Sequence, residues 1–218
     1  MLILAAVMIA PAVPLSVWKV LNQNLFFVKN AVRPMEAKSA DKLDIYDPHR
    51  RQLAFECREP DLGKVTRFRR LAGGKYDAGA PFNYVATLPD YAQQLFRVCR
   101  RVPFFALAKP PIEFFDEQNV QLVSTKEKMI AMDRTFRFLV PQKGLLFELK
   151  VKSGVNRHTF LLNNAEVAEI STTWKGPQSS YFEDGFDYAL SLADILPTDD
   201  TTRQIVIAFA IASKRILR

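Results

Sequence analysis

The side chains able to do chemistry are few, and they are scattered. The chain of 218 residues holds two histidines and two cysteines. His49 sits in the apparent turn Asp47-Pro48-His49-Arg50-Arg51, and His158 lies near another turn. Two isolated imidazoles do not supply a base, an orienting group and ligands together, so neither a His-ligated metal site nor a His-based triad is expected. Cys57 and Cys99 lack CxxC or metal-type spacing, and each falls in a strand-like run where a small buried hydrophobe is the usual role. That usage agrees with a reduced, cytoplasmic setting. The carboxylates Glu56, Glu59, Glu113, Asp116 and Asp133 form no convergent set by spacing, and no GxGxxG or P-loop is present. No enzyme activity, metal or cofactor is implied.

The chemistry that is concentrated is cationic. Lys64, Arg67, Arg69, Arg70 and Lys75 occupy one segment that runs into Gly73-Gly74 and Gly79-Ala80-Pro81, the loop richest in positive charge. The whole chain carries +7 at neutral pH, a field that favours acidic partners, either nucleic acid or anionic lipid headgroups. No nucleic-acid motif or dense basic-aromatic platform accompanies it, so sequence-specific nucleic-acid binding is not expected. Arg67, Arg69, Arg70 and Lys75 are the candidate lipid-binding residues, and the rival reading of them is a solvated loop.

These residues must be held by strands. LFFVKNAV, LDIYD and QLAFECRE come first, with Pro48 fixing φ and Asp47 placed to cap the turn between the latter two. FNYVATL and QLFRVCRRV flank a turn at Pro89-Asp90. PIEFFD and VQLVSTKEK flank Glu117-Gln118-Asn119, FRFLV and LLFELKVK flank Pro141-Gln142-Lys143-Gly144, and TFLL and EVAEISTTW flank Asn163-Asn164. Turns at such regular intervals read as an antiparallel meander.

Two apolar stretches bracket the meander. Residues 203–217, RQIVIAFAIASKRIL, contain an uncharged run from Ile205 to Ser213 that is apolar on every side of a helical wheel, so a helix here has to be surrounded. Alternation of Ile205, Ile207, Phe209 and Ile211 would also suit a strand, but the ends favour a helix: Asp199, Asp200, Thr201 and Thr202 supply caps, and Lys214, Arg215 and Arg218 suit its negative end. A barrel closed around that helix covers the helix and removes the sheet edges together. Residues 1–18 carry no charged side chain, but Pro11 and Pro14 interrupt them and no basic n-region precedes them. Residues 1–21 are therefore read as an apolar extension, either an anchor or signal or an arm, and residues 22–218 as one domain for which the extension is dispensable.

The order LFFVKNAV, DIYDP, EVAEISTTWKG, YFEDGFDYALSL and an apolar C-terminal helix resembles the LURP-one-related and phospholipid scramblase families, which share the tubby C-terminal-like fold. The resemblance covers about residues 24–217 and implies a mainly β fold, a closed antiparallel barrel of about twelve strands around the helix. The matching motif positions are Trp174, Gly176, Asp184, Asp187 and Tyr188, with Trp174 expected to pack and Gly176 to permit a turn. The acidic run Glu183, Asp184, Gly185, Phe186, Asp187 lacks the alternating ligands of an EF-hand, so calcium is not expected. The Pro- and Cys-rich amino-terminal region of animal scramblases is missing, which argues against lipid scrambling. Tubby-like relatives bind phosphoinositides, so the resemblance and the charge together imply a peripheral domain for anionic phospholipid or phosphoinositide membranes. The alternative is a structural or protein-interaction domain with a protein partner and no lipid ligand.

Overall fold

The computed structural model describes residues 19–31, 42–60, 81–89, 93–101, 110–130, 133–196 and 201–217. Its strands are β1 (Leu25–Asn30), β2 (Lys42–Asp47), β3 (Gln52–Arg58), β4 (Phe82–Thr87), β5 (Gln94–Arg100), β6 (Glu113–Phe115), β7 (Gln121–Ile130), β8 (Asp133–Val140), β9 (Gly144–Ser153), β10 (Arg157–Leu162), β11 (Ala165–Ser171) and β12 (Tyr188–Leu192). A one-turn helix, α1 (Ser179–Phe182), precedes β12, and a long helix, α2 (Thr201–Ile216), follows it. Every neighbouring pair is antiparallel, and β1 pairs with both β2 and β12, closing a barrel of twelve strands.

Local chemistry sets the hairpins. Asp47 Oδ1 accepts hydrogen bonds from His49 N at 2.9 Å and Arg50 N at 3.2 Å, which fixes the β2–β3 turn as its sequence suggests. Asp116 Oδ1 does the same for Gln118 N and Val120 N between β6 and β7. Asn163 and Asn164, with φ of 51° and 65°, form the two-residue turn whose twist matches the strands it joins, and asparagine tolerates that conformation well.

The barrel is filled rather than hollow along most of its length. From Ile205 to Ala212 no residue of α2 is more than 2% exposed. Phe209 lies at its centre, with ring centroids of Phe136, Phe138 and Phe160 at 4.8, 5.6 and 5.9 Å. The helix is not wholly apolar, however. Arg203 is fully buried, donating from Nε to Leu21 O at 2.8 Å, from Nη1 to Leu196 O at 3.3 Å, and from Nη2 to Gln23 O and Asn24 Oδ1, each at 2.7 Å. Burial lowers the pKa of this guanidinium, and the nearby Asp194 carboxylate opposes that shift. At the other end, Arg134 Nη1 donates to Ile216 O at 2.8 Å, so a cation meets the negative terminus of the helix.

The start of the domain moves as a result. Residues 19–21 form a helical turn in front of β1, and Leu21 is fully buried in the main core. Leu21 therefore belongs to the barrel and not to a dispensable extension, because Arg203 ties its carbonyl to α2 and its side chain is sealed from water. Residues 1–18 lie outside the described residues.

β1 departs from simple alternation: Leu25, Phe26, Phe27 and Val28 are all buried. Phe26 and Val28 face the barrel core, whereas Leu25 and Phe27 join a second cluster on the outside with Phe182 and Ala189. The segment between β11 and β12 makes this cover. Phe182 and Phe186 place their rings 5.1 and 5.3 Å from Phe27, and Arg51 sits 5.4 Å over the Tyr181 ring.

Candidate functional site

Antiparallel order assigns every strand end to one of two rims. The lower rim is where α2 begins: Arg203 reaches the backbone just before β1, and Gln204 Nε2 donates to Leu95 O at the start of β5 at 3.1 Å. The upper rim is where α2 ends, beside Arg134 at the start of β8. β3 finishes and β4 starts at the upper rim, so the connection bearing Arg67, Arg69, Arg70 and Lys75 leaves and returns there. Those four residues themselves lie outside the described residues.

The upper rim has cations of its own. Arg58, Arg101 and Arg157 are exposed but paired with Glu56, Glu113 and Glu169 respectively. Lys126, Lys128 and Lys152 are exposed at the ends of β7 and β9, and among the described residues none of the three is in an ion pair. Isolated exposed pairs contribute little to stability, so the unpaired lysines matter more for an approaching anion than for the fold.

A cavity of about 580 Å³ opens at this rim, lined by Arg100, Pro110, Pro111, Ser124, Thr125, Lys126 and Glu127. Arg100 ends β5 with its side chain buried, its guanidinium 5.8 Å over the Phe82 ring. Glu127 faces Arg134 at 3.9 Å, which offsets its charge beside the cavity. None of these residues stood out in the sequence. The signal for Arg100 is its place in the alternation of QLFRVCR, which puts Phe96, Val98 and Arg100 on one face of β5 and so carries a cation into the core side.

A second cavity, about 230 Å³, lies at the same rim and is lined by His158, Ile170, Thr172, Asp187, Tyr188, Ser213 and Leu217. It brings a serine, a histidine and an aspartate together, yet their hydrogen bonds lead elsewhere. His158 Nδ1 pairs with Ser153 Oγ at 3.1 Å, and Asp187 Oδ2 accepts from Asn30 N at 2.5 Å. Burial and, after it, the charge of Arg134 lower the His158 pKa below that of a free imidazole.

The motif residues near β12 are structural in their contacts. Asp187 is held at both ends, its amide donating to Val28 O at 2.8 Å while its carboxylate takes the Asn30 amide. Tyr188 is buried, with its hydroxyl 3.5 Å from Ile211 O of α2. Trp174 packs beside the outer cluster and donates from Nε1 to Pro177 O at 2.8 Å. Gly176 serves that indole: a Cβ there would stand 2.4 Å from the ring, so the requirement is close approach rather than a special backbone angle. Asp184 is exposed, and among the described residues no group of three His, Cys, Asp or Glu side chains is placed to hold a metal ion.

No family model, curated protein or solved structure matches the chain. No described helix is long and apolar enough to cross a membrane.

Proposed function

We propose that this chain is a non-enzymatic binding domain that docks peripherally on anionic phospholipid or phosphoinositide membranes at the cytoplasmic side, with its upper rim towards the headgroups. One observation carries the reading. Lys126, Lys128 and Lys152 are exposed and outside any ion pair among the described residues, on the rim where the β3–β4 connection with Arg67, Arg69, Arg70 and Lys75 leaves and returns. The resemblance to LURP-one-related and scramblase-like proteins supports it in the same direction, because the closed barrel around a C-terminal helix is the architecture that resemblance implies.

Each basic side chain near an anionic surface adds about 1 kcal/mol, so four in one connection are enough to turn negligible binding into measurable binding. Sedimentation with vesicles of graded phosphatidylserine content tests this. Binding should rise with anionic lipid, fall as salt shortens the Debye length, and drop sharply when Arg67, Arg69, Arg70 and Lys75 are all changed to Gln. If the quadruple variant sediments like the parent, or the parent ignores anionic lipid, the protein-interaction reading replaces this one and the net charge is a matter of solubility.

A further inference from the structure

The exposed apolar side chains are not shared evenly between the two rims. Among the described residues Val120, Leu145, Leu146 and Ile195 are exposed at the lower rim, against Val155 alone at the upper. Leu145 and Leu146, 48% and 45% exposed, stand together at the foot of β9. They continue the core outwards, since Val140 and Phe147 beside them are partly buried against it. The strand is also bare at this point. β9 pairs with β8 from Gly144 onwards, but its ladder with β10 reaches only Leu149↔Leu162, so residues 144–148 have a strand neighbour on one side alone among the described residues. Leu146 is skipped between Leu139↔Leu145 and Phe138↔Phe147, and a bulge of that kind twists an edge away from simple strand addition. What the foot of β9 lacks is therefore apolar cover rather than another strand.

The chain has a segment to supply it. Residues 1–18 have no charged side chain, so covering the leucines with them strips no side-chain ion of its water. They join the barrel at the same rim. Residues 19–21 make a helical turn there, Leu21 is buried in the core, and Arg203 Nε donates to its carbonyl at 2.8 Å. From β1 to β9 is four strand spacings, about 20 Å around the wall, whereas a stretch of this length spans up to about 60 Å. We propose that residues 1–18 fold back across the lower rim and seat apolar side chains on Leu145 and Leu146. A second copy of the chain suits the patch less well, because stable interfaces bury ~1,200–2,000 Å² and two half-exposed leucines offer far less. A tethered segment manages with a smaller contact, since its effective concentration is on the order of millimolar. The inference goes beyond the membrane reading and does not depend on it.

Paramagnetic broadening in the full chain tests the contact. Cys57 and Cys99 are buried, so a nitroxide introduced through Ala6→Cys marks one point of the segment. Without vesicles, the amide signals of residues 144–148 should lose most of their intensity, while those of Lys128 and Lys152 at the upper rim keep theirs. Changing Leu145 and Leu146 together to Gln should restore the lost signal, and half-exposed side chains tolerate that change without unfolding. Val155→Gln at the upper rim should leave the broadening as it is in the parent. Broadening that is absent, spread over both rims, or indifferent to the double Gln variant overturns the proposal. A mixture of isotope-labelled chain without nitroxide and unlabelled chain with it identifies a second copy: broadening of 144–148 in the mixture overturns the proposal, and its absence there supports it. A nitroxide that becomes immobilised only when vesicles are added, with 144–148 untouched beforehand, makes the segment an anchor and overturns it as well. The upper-rim reading is tested separately, by the vesicle sedimentation of the quadruple variant.

Discussion

Replacing Arg203 by Met should destabilise this barrel more than most apolar truncations in it. The guanidinium is fully buried and makes four hydrogen bonds, to Leu21 O, Leu196 O, Gln23 O and Asn24 Oδ1. Asn24 in turn donates to Asp194, so one side chain joins the segment before β1, the end of β12 and the first turn of α2. A hydrogen bond from a charged donor contributes about 1.5–3 kcal/mol net, and a buried acceptor left without a partner costs about 1–3 kcal/mol. Against this stands the desolvation of the guanidinium, several kcal/mol, which Met does not incur. The balance is a loss of about 3–5 kcal/mol, out of a total stability of roughly 5–15 kcal/mol for a domain. For a chain of this size each kcal/mol moves the midpoint about 2–4 °C, so Tm should fall by about 6–20 °C. Arg203→Lys should fall between parent and Met, since an ammonium has three donors and no fork to span four acceptors. Thermal and urea unfolding followed by circular dichroism measure both variants. A Met variant melting within about 2 °C of the parent would falsify the idea that this guanidinium ties the two ends of the chain together.

Phe209→Asp should leave no folded protein, because a carboxylate would be sealed among Phe136, Phe138 and Phe160; recovery of a soluble, cooperatively melting variant would refute the central helix as a core element. Gly176→Ala drives a methyl into the Trp174 ring, so a loss of about 1–3 kcal/mol and a shifted tryptophan emission are expected, and an unchanged spectrum would count against that contact. Deleting residues 1–21 should lower Tm, because Leu21 and its carbonyl go with them; a midpoint equal to that of the full chain would return Leu21 to a dispensable arm. Cys57 and Cys99 are buried, and burial is the first cause pushing both thiols above their ordinary pKa. Native protein should therefore leave both unmodified by a thiol reagent at pH 8, with both reacting on unfolding. The unfolded chain releases these protons near pH ~8.5 while the native state keeps them, so stability should decline as pH rises past that value; a flat profile to pH 10 would contradict it.

Much of the fold is legible in particular stretches of the sequence. Asp47-Pro48, Glu117-Gln118-Asn119, Pro141-Gln142-Lys143-Gly144 and Asn163-Asn164 mark turns by local chemistry, and each one joins the hairpin expected of it. The C-terminal helix is legible because a run apolar on all sides has to be enclosed, and its bounds of 201–216 lie close to the expected 203–217. β12 and the covering turn α1 are not legible in the same way. YALSL is short, and the rings of Tyr181, Phe182 and Phe186 find distant partners in Phe27 on the outer face of β1, some 155 residues earlier in the chain, and in Tyr46 of β2. The candidate cavity is less legible still, since Arg100, Pro110 and Lys126 carry no common spacing and meet only where the β6–β7 ladder ends.

The sequence by itself determined the hairpins, the apolar helix and the excess of positive charge, because turn chemistry, hydrophobic period and composition act over a few residues or over the whole chain without reference to contacts. Only the tertiary structure decided where the sheet closes, which face of β1 is covered, and that Arg203 is a buried tie rather than a surface cation. It also decided which rim gathers Arg100, Lys126, Lys128 and Lys152. These outcomes depend on pairing between residues far apart in sequence. The loop closure that brings them together is set by the packing of the whole barrel and leaves no local periodic mark.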